Sequence, residues 1–352
     1  MAKKFRRFTL TLLCGLLVVG LLCFMADPFY QYHKPWFGMP VILDNAVYQT
    51  PGAARNLEYS DAIIGTSMTE NFHTKWFDEE LGWDTIKLSY SGARSDDLKA
   101  IFSIIFSRRE PVRHVFMDIN DYQLTSPSWT AYVERPEYLY DDNLFNDYQY
   151  IFNRDVVIRS WERILDALQG IEDNIDTAYT WEDEALFGRE ITLNVARGVR
   201  EALIQGSGDN QEAEPLEQKL ALCQENLDNI LPFIEQNPDT EFIIFFPPYS
   251  MLYWEQMVLR GSLEDMLEIY RYAIQHFLEY ENVSLYYFQT EEEIIINLEC
   301  YRDVCHHRPE YNRYIFDCIR QGENRITREN LDETLLEMYE FAKDYDYEAY
   351  WQ

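Results

Sequence analysis

The sequence predicts an α/β domain, a three-layer α/β/α sandwich with a central parallel sheet, preceded by one transmembrane helix. Three observations support this prediction. An uncharged apolar run lies close to the N-terminus, five short apolar segments follow it, and charge-rich segments of helical character separate those five. Strands that alternate with helices are typical of βαβ units, which build a parallel sheet covered by helices.

The uncharged run covers residues 8–26 and would form a helix about 28 Å long, close to the hydrocarbon thickness of a bilayer. The basic residues at positions 3–7 precede it, so the positive-inside rule places the N-terminus in the cytoplasm and the rest of the chain outside. A cleaved signal peptide is the alternative, but its apolar region is usually shorter and ends at a small-residue site. Cys23 follows Leu22, which argues against a lipoprotein signal. We therefore expect residues 1–26 to be an uncleaved, single-pass anchor in the cell membrane.

Acidic residues dominate the rest of the chain. The protein has 61 Asp and Glu residues against 30 Lys and Arg residues, a formal net charge of −31, and no acidic residue precedes Asp27. Nucleic-acid binding depends on Lys and Arg side chains that neutralise phosphates, so this charge excludes a nucleic-acid partner. It also disfavours attraction to anionic lipid head groups.

Residues 27–58 are rich in aromatic residues, Pro and Gly without a clear period, and we interpret them as a linker that folds back onto a domain of residues 59–352. The five apolar segments of that domain have the length of buried parallel strands. The predicted strands are residues 61–65, 85–89, 114–120, 241–246 and 283–288, and the predicted helices are about residues 95–107, 150–170, 212–236, 255–279, 309–321 and 327–343. The acidic stretch of about 125–212 is longer than one crossover needs. We interpret it as an insertion beside the C-terminal edge of the sheet, where ligands bind.

Polar residues follow three of the predicted strands. Ser67 comes two residues after the first strand, where a tight turn into a helix would expose its hydroxyl as a nucleophile. Gly92 follows the second strand and allows a ligand to approach the backbone. Asn120 ends the third strand, where its amide is placed to donate to an oxyanion. Asp303 and His306 share one short loop, so the carboxylate can orient the imidazole to take the serine proton.

Each of these residues alone has a structural explanation, since a Ser after Gly-Thr is usually a helix cap and an Asn after a strand usually forms a turn. Their order, each after the expected strand, resembles the SGNH (GDSL-like) hydrolase superfamily, which has a flavodoxin-like sheet. The resemblance implies that Ser67 is the nucleophile, His306 the general base and acid, and Asp303 its orienting partner. It also implies an oxyanion hole built from the N–H groups of Ser67 and Gly92 and the Asn120 side chain.

The resemblance covers about residues 58–320 and departs from the family pattern at two positions. Thr66 stands in place of the Asp of Gly-Asp-Ser, and Asp118 in place of the Gly of Gly-x-Asn. With Thr66, the motif is similar to that of membrane-anchored bacterial relatives such as the D-alanine transfer protein of teichoic-acid alanylation and the alginate O-acetyltransferases. We expect Asp118 to point away from the oxyanion and to cap a turn.

The resemblance implies an esterase or acyltransferase that acts on an ester of a cell-envelope glycan or polymer through an acyl-Ser67 intermediate. It implies no metal or other cofactor, and a membrane acyltransferase as a candidate partner. Tyr249, Tyr253 and Trp254 follow the fourth strand and are candidates for stacking on a sugar ring, although such clusters often serve only packing. A non-catalytic envelope scaffold that keeps the fold and binds a polymer is the alternative function.

Four cysteines lie in the outer domain, where oxidation is permitted, and the sequence leaves their pairing open. They are Cys223, Cys300, Cys305 and Cys318. A disulfide between Cys300 and Cys305 would stiffen the loop that carries Asp303. A zinc site of these two cysteines with His306 and His307 is another interpretation, but paired C-x-x-C spacing is missing and adjacent histidines do not easily converge on one ion.

Overall fold

Six strands form a single sheet in the part of the protein that the computed structural model describes, which is residues 2–128, 133–141, 143, 145–206 and 214–351. They are β1 (Asp61–Ile64), β2 (Thr85–Lys87), β3 (His114–Asp118), β4 (Glu241–Phe246), β5 (Val283–Tyr287) and β6 (Arg325–Ile326). Their order across the sheet is β2-β1-β3-β4-β5-β6. The first five confirm the five strands predicted from the apolar segments, and each pairs in parallel with its neighbours among the five.

Successive side chains of these strands face opposite sides of the sheet and join two separate apolar clusters. Ile64 belongs to the larger cluster and its neighbour Ile63 to the smaller one. Each cluster also contains helical residues, such as Ile101 in the larger and Phe316 in the smaller. Apolar side chains on both faces explain why the strands read as continuous apolar runs rather than alternating ones.

The sixth strand corrects the prediction of an entirely parallel sheet, because it makes the sheet mixed. Ile326 lies opposite Leu285, and Arg325 lies opposite Tyr286, in an antiparallel pair with β5. β6 has only two residues, of which Arg325 is exposed. A pair of residues with one exposed cation carries no strand periodicity, so the sequence pattern did not indicate it.

Helices account for most of the other described residues. In chain order they are α1 (Ala2–Ala26), α2 (Ala46–Asn56), α3 (Ser67–Glu70), α4 (Thr74–Leu81), α5 (Ser95–Ile105), α6 (Asp121–Thr125), α7 (Glu137–Tyr140), α8 (Tyr148–Ile151), α9 (Arg154–Gln169), α10 (Arg189–Ile204), α11 (Leu216–Leu227), α12 (Leu231–Gln236), α13 (Met251–Arg260), α14 (Leu263–Phe277), α15 (Glu292–Ile295), α16 (Pro309–Gln321), α17 (Leu331–Asp344) and α18 (Glu348–Trp351), with 3-10 helices at Glu184–Leu186 and Leu298–Cys300. The predicted helix over 255–279 is two helices, because Gly261 ends α13 in a left-handed conformation. The one predicted over 212–236 is likewise divided between α11 and α12, and residues 212–213 lie outside the described residues.

One helix among the described residues, α1, is long and apolar enough to cross a membrane. Most of its length is exposed, but Cys23 and Ala26 near its end are buried against the domain. The following segment, residues 27–58, was predicted as a linker and contains α2. Ala53 and Ala54 of α2 have no exposed surface and lie in the larger cluster.

The acidic stretch predicted as an insertion contains α7 to α10. Its residues 129–132, 142, 144 and 207–212 lie outside the described residues. The segment before α10 runs along the C-terminal edge of the sheet, where the backbone N–H of Trp181 donates to Asn71 Oδ1 at 2.8 Å. Lys87 Nζ donates to the carbonyl oxygen of Ala178 at 2.9 Å, so this segment is tied to the edge strand β2 as well.

Candidate active site

Ser67 is the first residue of α3 and follows β1 after a turn of two residues. In this turn Gly65 has a φ of +145°, and the Thr66 hydroxyl accepts a hydrogen bond from the N–H of Met68 at 3.2 Å. The Ser67 hydroxyl faces a cavity of about 600 Å³. Residues that follow β1, β2, β3 and β4 line this cavity together with Trp181 and the loop after α15. It therefore lies at the carboxyl ends of the parallel strands, as expected of a ligand site in such a sheet.

Three polar side chains form one hydrogen-bonded chain at the cavity. Ser67 Oγ lies 2.7 Å from His306 Nε2, and His306 Nδ1 lies 2.7 Å from Asp303 Oδ2. The other carboxylate oxygen accepts hydrogen bonds from the N–H groups of Cys305 at 2.9 Å and His306 at 2.8 Å. Asp303 therefore also fixes the backbone of the loop that carries it. Burial acts to raise the pKa of Asp303, but these bonds and the His306 side chain outweigh it and hold the pKa below its ordinary value. A persistently ionised Asp303 keeps a proton on Nδ1 and leaves Nε2 free to accept the serine proton.

The residues predicted for the oxyanion hole all line the same cavity. Gly92 has a φ of +71°, and neither its N–H nor that of Ser67 donates to a protein acceptor among the described residues. Asn120 Nδ2 donates to Asp118 Oδ2 at 2.8 Å and, in a longer bond, to the Thr66 hydroxyl at 3.3 Å. Two backbone donors without a protein acceptor in the described ranges and one anchored amide therefore meet at the cavity that contains the Ser67 hydroxyl.

Asp118 confirms the expectation that its carboxylate caps a turn. The side chain is completely buried, and it accepts the N–H of Thr66 at 2.7 Å and the Thr66 hydroxyl at 2.8 Å. Burial raises the pKa of Asp118 above its ordinary value, although the hydrogen bonds from Thr66 and Asn120 oppose that change. The carboxylate does not line the cavity. It lies behind the turn that carries Ser67 and holds that turn against β3.

Glu70, which was not among the sequence-predicted site residues, is buried beside the candidate nucleophile. Ser91 Oγ donates to Glu70 Oε1 at 3.0 Å, and Trp181 Nε1 donates to Glu70 Oε2 at 2.9 Å. Burial raises the pKa of Glu70, while these bonds and the nearby His306 act in the opposite direction. The sequence could have indicated Glu70 as a site residue, because it lies one helical turn after Ser67. It could not indicate Trp181, because that residue belongs to the insertion.

Trp181 and Arg302 give the cavity an aromatic wall with a positive charge beside it. The Trp181 ring meets the His306 ring edge-on, with centroids 5.5 Å apart. The Arg302 guanidinium lies 5.3 Å from the centroid of the Trp181 ring, within the range of a cation–π contact. Neither residue was among the sequence-predicted site residues.

Of the three aromatic residues predicted to bind substrate, Tyr249 lines the cavity and the other two do not. Tyr249 and Tyr253 both donate to the carboxylate of Asp121, at 3.1 Å and 3.0 Å. Trp254 has no exposed surface and belongs to the larger apolar cluster. Trp254 is therefore a packing residue, and the two tyrosines make a polar contact.

The cysteines, all six of which are described, are free thiols. Cys300 Sγ lies 2.8 Å from the hydroxyl of Tyr311 rather than against Cys305, which lines the cavity. The four side chains considered for zinc also diverge, since His306 contacts Ser67 and the Nδ1 atom of the buried His307 faces the Arg308 carbonyl at 3.1 Å. No group of three or more His, Cys, Asp or Glu residues in the described ranges could hold a metal ion.

No protein-family model matches this chain, and no curated protein is significantly similar to it.

Proposed function

We propose that the protein is a serine-dependent esterase or acyltransferase of the SGNH type, anchored in a bacterial cell membrane by α1. The observation that carries this proposal is the chain of contacts from Ser67 through His306 to Asp303, with both distances at 2.7 Å. A hydroxyl, an imidazole and a carboxylate in this order are the parts of an activated serine nucleophile. The five parallel strands with apolar clusters on both faces support the three-layer fold of that type.

The proposed reaction proceeds through an acyl-enzyme. Ser67 Oγ attacks the ester carbonyl carbon while its proton passes to His306 Nε2, and the tetrahedral oxyanion is stabilised by the N–H groups of Ser67 and Gly92. The Asn120 amide joins them by exchanging its long bond to the Thr66 hydroxyl for one to the oxyanion. The leaving alkoxide takes the proton from His306 as its bond to the carbonyl carbon breaks, which leaves an acyl-Ser67 ester. Water or a sugar hydroxyl then attacks this ester and transfers its own proton to His306 Nε2. The bond between the carbonyl carbon and Ser67 Oγ breaks as Oγ takes that proton, which releases the free acid or the acylated sugar and restores Ser67.

An ester of a cell-envelope glycan or polymer is the proposed substrate class. The basic residues before α1 favour a position of the cavity on the outer side of the membrane, where such polymers lie. A cavity of about 600 Å³ has room for an acylated sugar unit. We further propose a membrane acyltransferase as a partner, which the anchor would keep in the same plane.

Labelling of the full-length protein by a fluorophosphonate tests the enzymatic proposal without knowledge of the substrate. The wild-type protein should form an adduct that peptide mass spectrometry maps to Ser67, and Ser67→Ala should lose it. Ser103→Ala is the matched control, because its hydroxyl only donates to the Lys99 carbonyl on the surface of α5. An unlabelled wild type, or equal labelling of Ser67→Ala, would overturn the proposal and favour a non-catalytic scaffold.

A further inference from the structure

The exposed face of α9 is apolar, the reverse of an ordinary surface helix. Ile158, Trp161, Leu165 and Leu168 follow one another at helical spacing and are 42%, 56%, 38% and 78% exposed. The buried face of the same helix includes the polar Ser160 and Arg163. We call the four exposed residues the α9 stripe.

Contacts on the buried side fix this orientation. The Arg163 guanidinium, which is only 4% exposed, pairs with Asp44 at 3.2 Å and with Asp166 at 3.0 Å. Ser160 Oγ donates to the carbonyl oxygen of Val156 at 2.7 Å. Rotation of α9 to bury the stripe would expose Val156 and break the ion pair with Asp44. The apolar exposure is therefore built into the fold.

The helix α9 lies beside the outer end of α1. Cys23 of α1 and Val156 of α9 belong to one buried cluster, against which Val19 also packs. A Cβ atom placed on Gly20 would be 3.4 Å from Ile151, just before α9. These contacts precede the last apolar residue of α1, Ala26, by three to seven positions. At about 1.5 Å per residue they lie roughly 5–10 Å inside the apolar run, the depth at which interfacial helices bury their apolar face.

Exposed aromatic residues from two further segments surround the same end of α1. Tyr148 and Phe152 come from the chain around α8. Trp36 comes from the segment after α1 and packs edge-on against Phe24 of that helix, with centroids 5.9 Å apart. Trp and Tyr side chains accumulate at the boundary between membrane and water. Phe152 beside Gly20 and Trp36 beside Phe24 thus lie along the last two turns of α1.

We propose that the α9 stripe and these aromatic residues are embedded in the outer leaflet, at the boundary between lipid head groups and acyl chains. This inference rests on the proposed membrane anchoring by α1. The sequence of α9 contains three basic and three acidic residues, so the helix is electrically neutral within a chain of net charge −31. Burial of apolar side chains, rather than attraction to anionic lipids, therefore provides the affinity.

Photolabelling from the lipid phase tests this proposal on the full chain. The protein is reconstituted in phosphatidylcholine vesicles that contain a diazirine-bearing phosphatidylcholine, illuminated, and mapped by peptide mass spectrometry. We expect adducts on α1 and also on Phe152, Trp161 and Leu168. Leu336 of α17 is the matched control, because this apolar residue is 53% exposed and lies outside the proposed surface. It should remain unlabelled.

A charged variant separates the stripe from the anchor. The double variant Trp161→Glu, Leu168→Glu changes only exposed positions and should reduce labelling of α9 at least about fivefold, with labelling of α1 unchanged. Leu336→Glu should change neither. Lipid adducts confined to α1, or cross-links from α9 to a second copy in place of lipid adducts, would overturn the proposal. Absence of adducts on α1 itself would overturn the anchor as well, and fluorophosphonate labelling of the same sample reports the enzymatic proposal independently.

Discussion

The carboxylate of Asp118 accepts both the backbone N–H and the hydroxyl of Thr66, at 2.7 Å and 2.8 Å. These are the two positions at which the sequence departs from the SGNH pattern, and the structure places them in direct contact. The pattern has its carboxylate on the turn after the first strand, whereas this chain has it at the end of β3. The turn that carries Ser67 is thus hydrogen-bonded to the end of β3.

Asp118→Asn should slow fluorophosphonate labelling of Ser67 by about tenfold or more. An amide offers one acceptor where the carboxylate serves three donors, so a buried donor on Thr66 or Asn120 loses its partner. A displacement of about 1 Å at the nucleophile is enough to cost on the order of a hundredfold in rate. Thr66→Ser is the control, since it keeps both donors and should label at nearly the wild-type rate. Equal labelling rates for wild type and Asp118→Asn would show that the carboxylate does not position Ser67.

Gly65→Ala should abolish labelling and destabilise the domain. A Cβ atom at this position would lie 2.1 Å from Asp118 Oδ1, and its φ of +145° is also unfavourable for Ala. Gly82→Ala separates the two effects, because Gly82 has a φ of +72° and no atom lies within 4 Å of the point that its methyl group would occupy. This control should lose about 1 kcal/mol of stability and keep its labelling rate. Thermal unfolding and labelling of both variants decide the matter. If the two variants lose labelling and stability to a similar extent, contact with Asp118 does not explain the effect at Gly65.

Glu70 is expected to be a positioning residue for the loop that carries Gly92. Glu70→Gln removes one carboxylate acceptor from Ser91 or Trp181 and should reduce the maximal labelling rate more than the apparent affinity for the probe. Ser91→Ala should have a similar effect, and the double variant should be little worse than either single variant because both act on one contact. The exposed Glu79→Gln serves as the control. Fully additive losses would contradict a shared role.

The five parallel strands could be predicted because burial on both faces leaves a continuous apolar run, and Ser67 and Asn120 could be predicted because they directly follow such runs. β6 could not be predicted, because a strand of two residues shows no alternation of buried and exposed positions. Trp181 could not be predicted as a site residue, because its position beside His306 depends on the path of a long insertion. Trp254 was predicted at the substrate, but its position one helical turn into α13 directs it into the core.

The loop that carries His306 should function without a disulfide. Cys300 contacts Tyr311, so a bridge to Cys305 would require both side chains to leave their observed positions. A non-reduced digest should contain both thiols free, and dithiothreitol should leave the labelling rate and the melting temperature unchanged. A linked Cys300–Cys305 peptide whose reduction slows labelling would restore the disulfide as a device that positions His306.

The buried Lys87 should make stability rise with pH above neutrality. Its ammonium has no exposed surface, and burial lowers its pKa to about 7, although Asp176, Glu70 and Glu182 favour the charged form. The ordinary value of 10.5 applies to the unfolded chain. Between these two values the unfolded state binds a proton that the folded state does not. The free energy of unfolding therefore increases with pH in this window, by up to about 1.4 kcal/mol per unit, and the contribution is constant below pH 7.

Comparison with Lys87→Met isolates this contribution, because Met fills a similar volume and does not titrate. The variant lacks the hydrogen bonds from Lys87 Nζ to the backbone oxygens of Glu70 and Ala178, at 2.7 Å and 2.9 Å. The unfolding free energy lost with these two bonds does not vary with pH. The difference in unfolding free energy, wild type minus variant, should therefore grow by about 2 kcal/mol between pH 7 and pH 9. Urea unfolding of the full chain in detergent at several pH values measures it. Lys99→Met, at an exposed position, should give a curve parallel to wild type. If the Lys87→Met curve is also parallel to wild type, Lys87 does not change its protonation in this range.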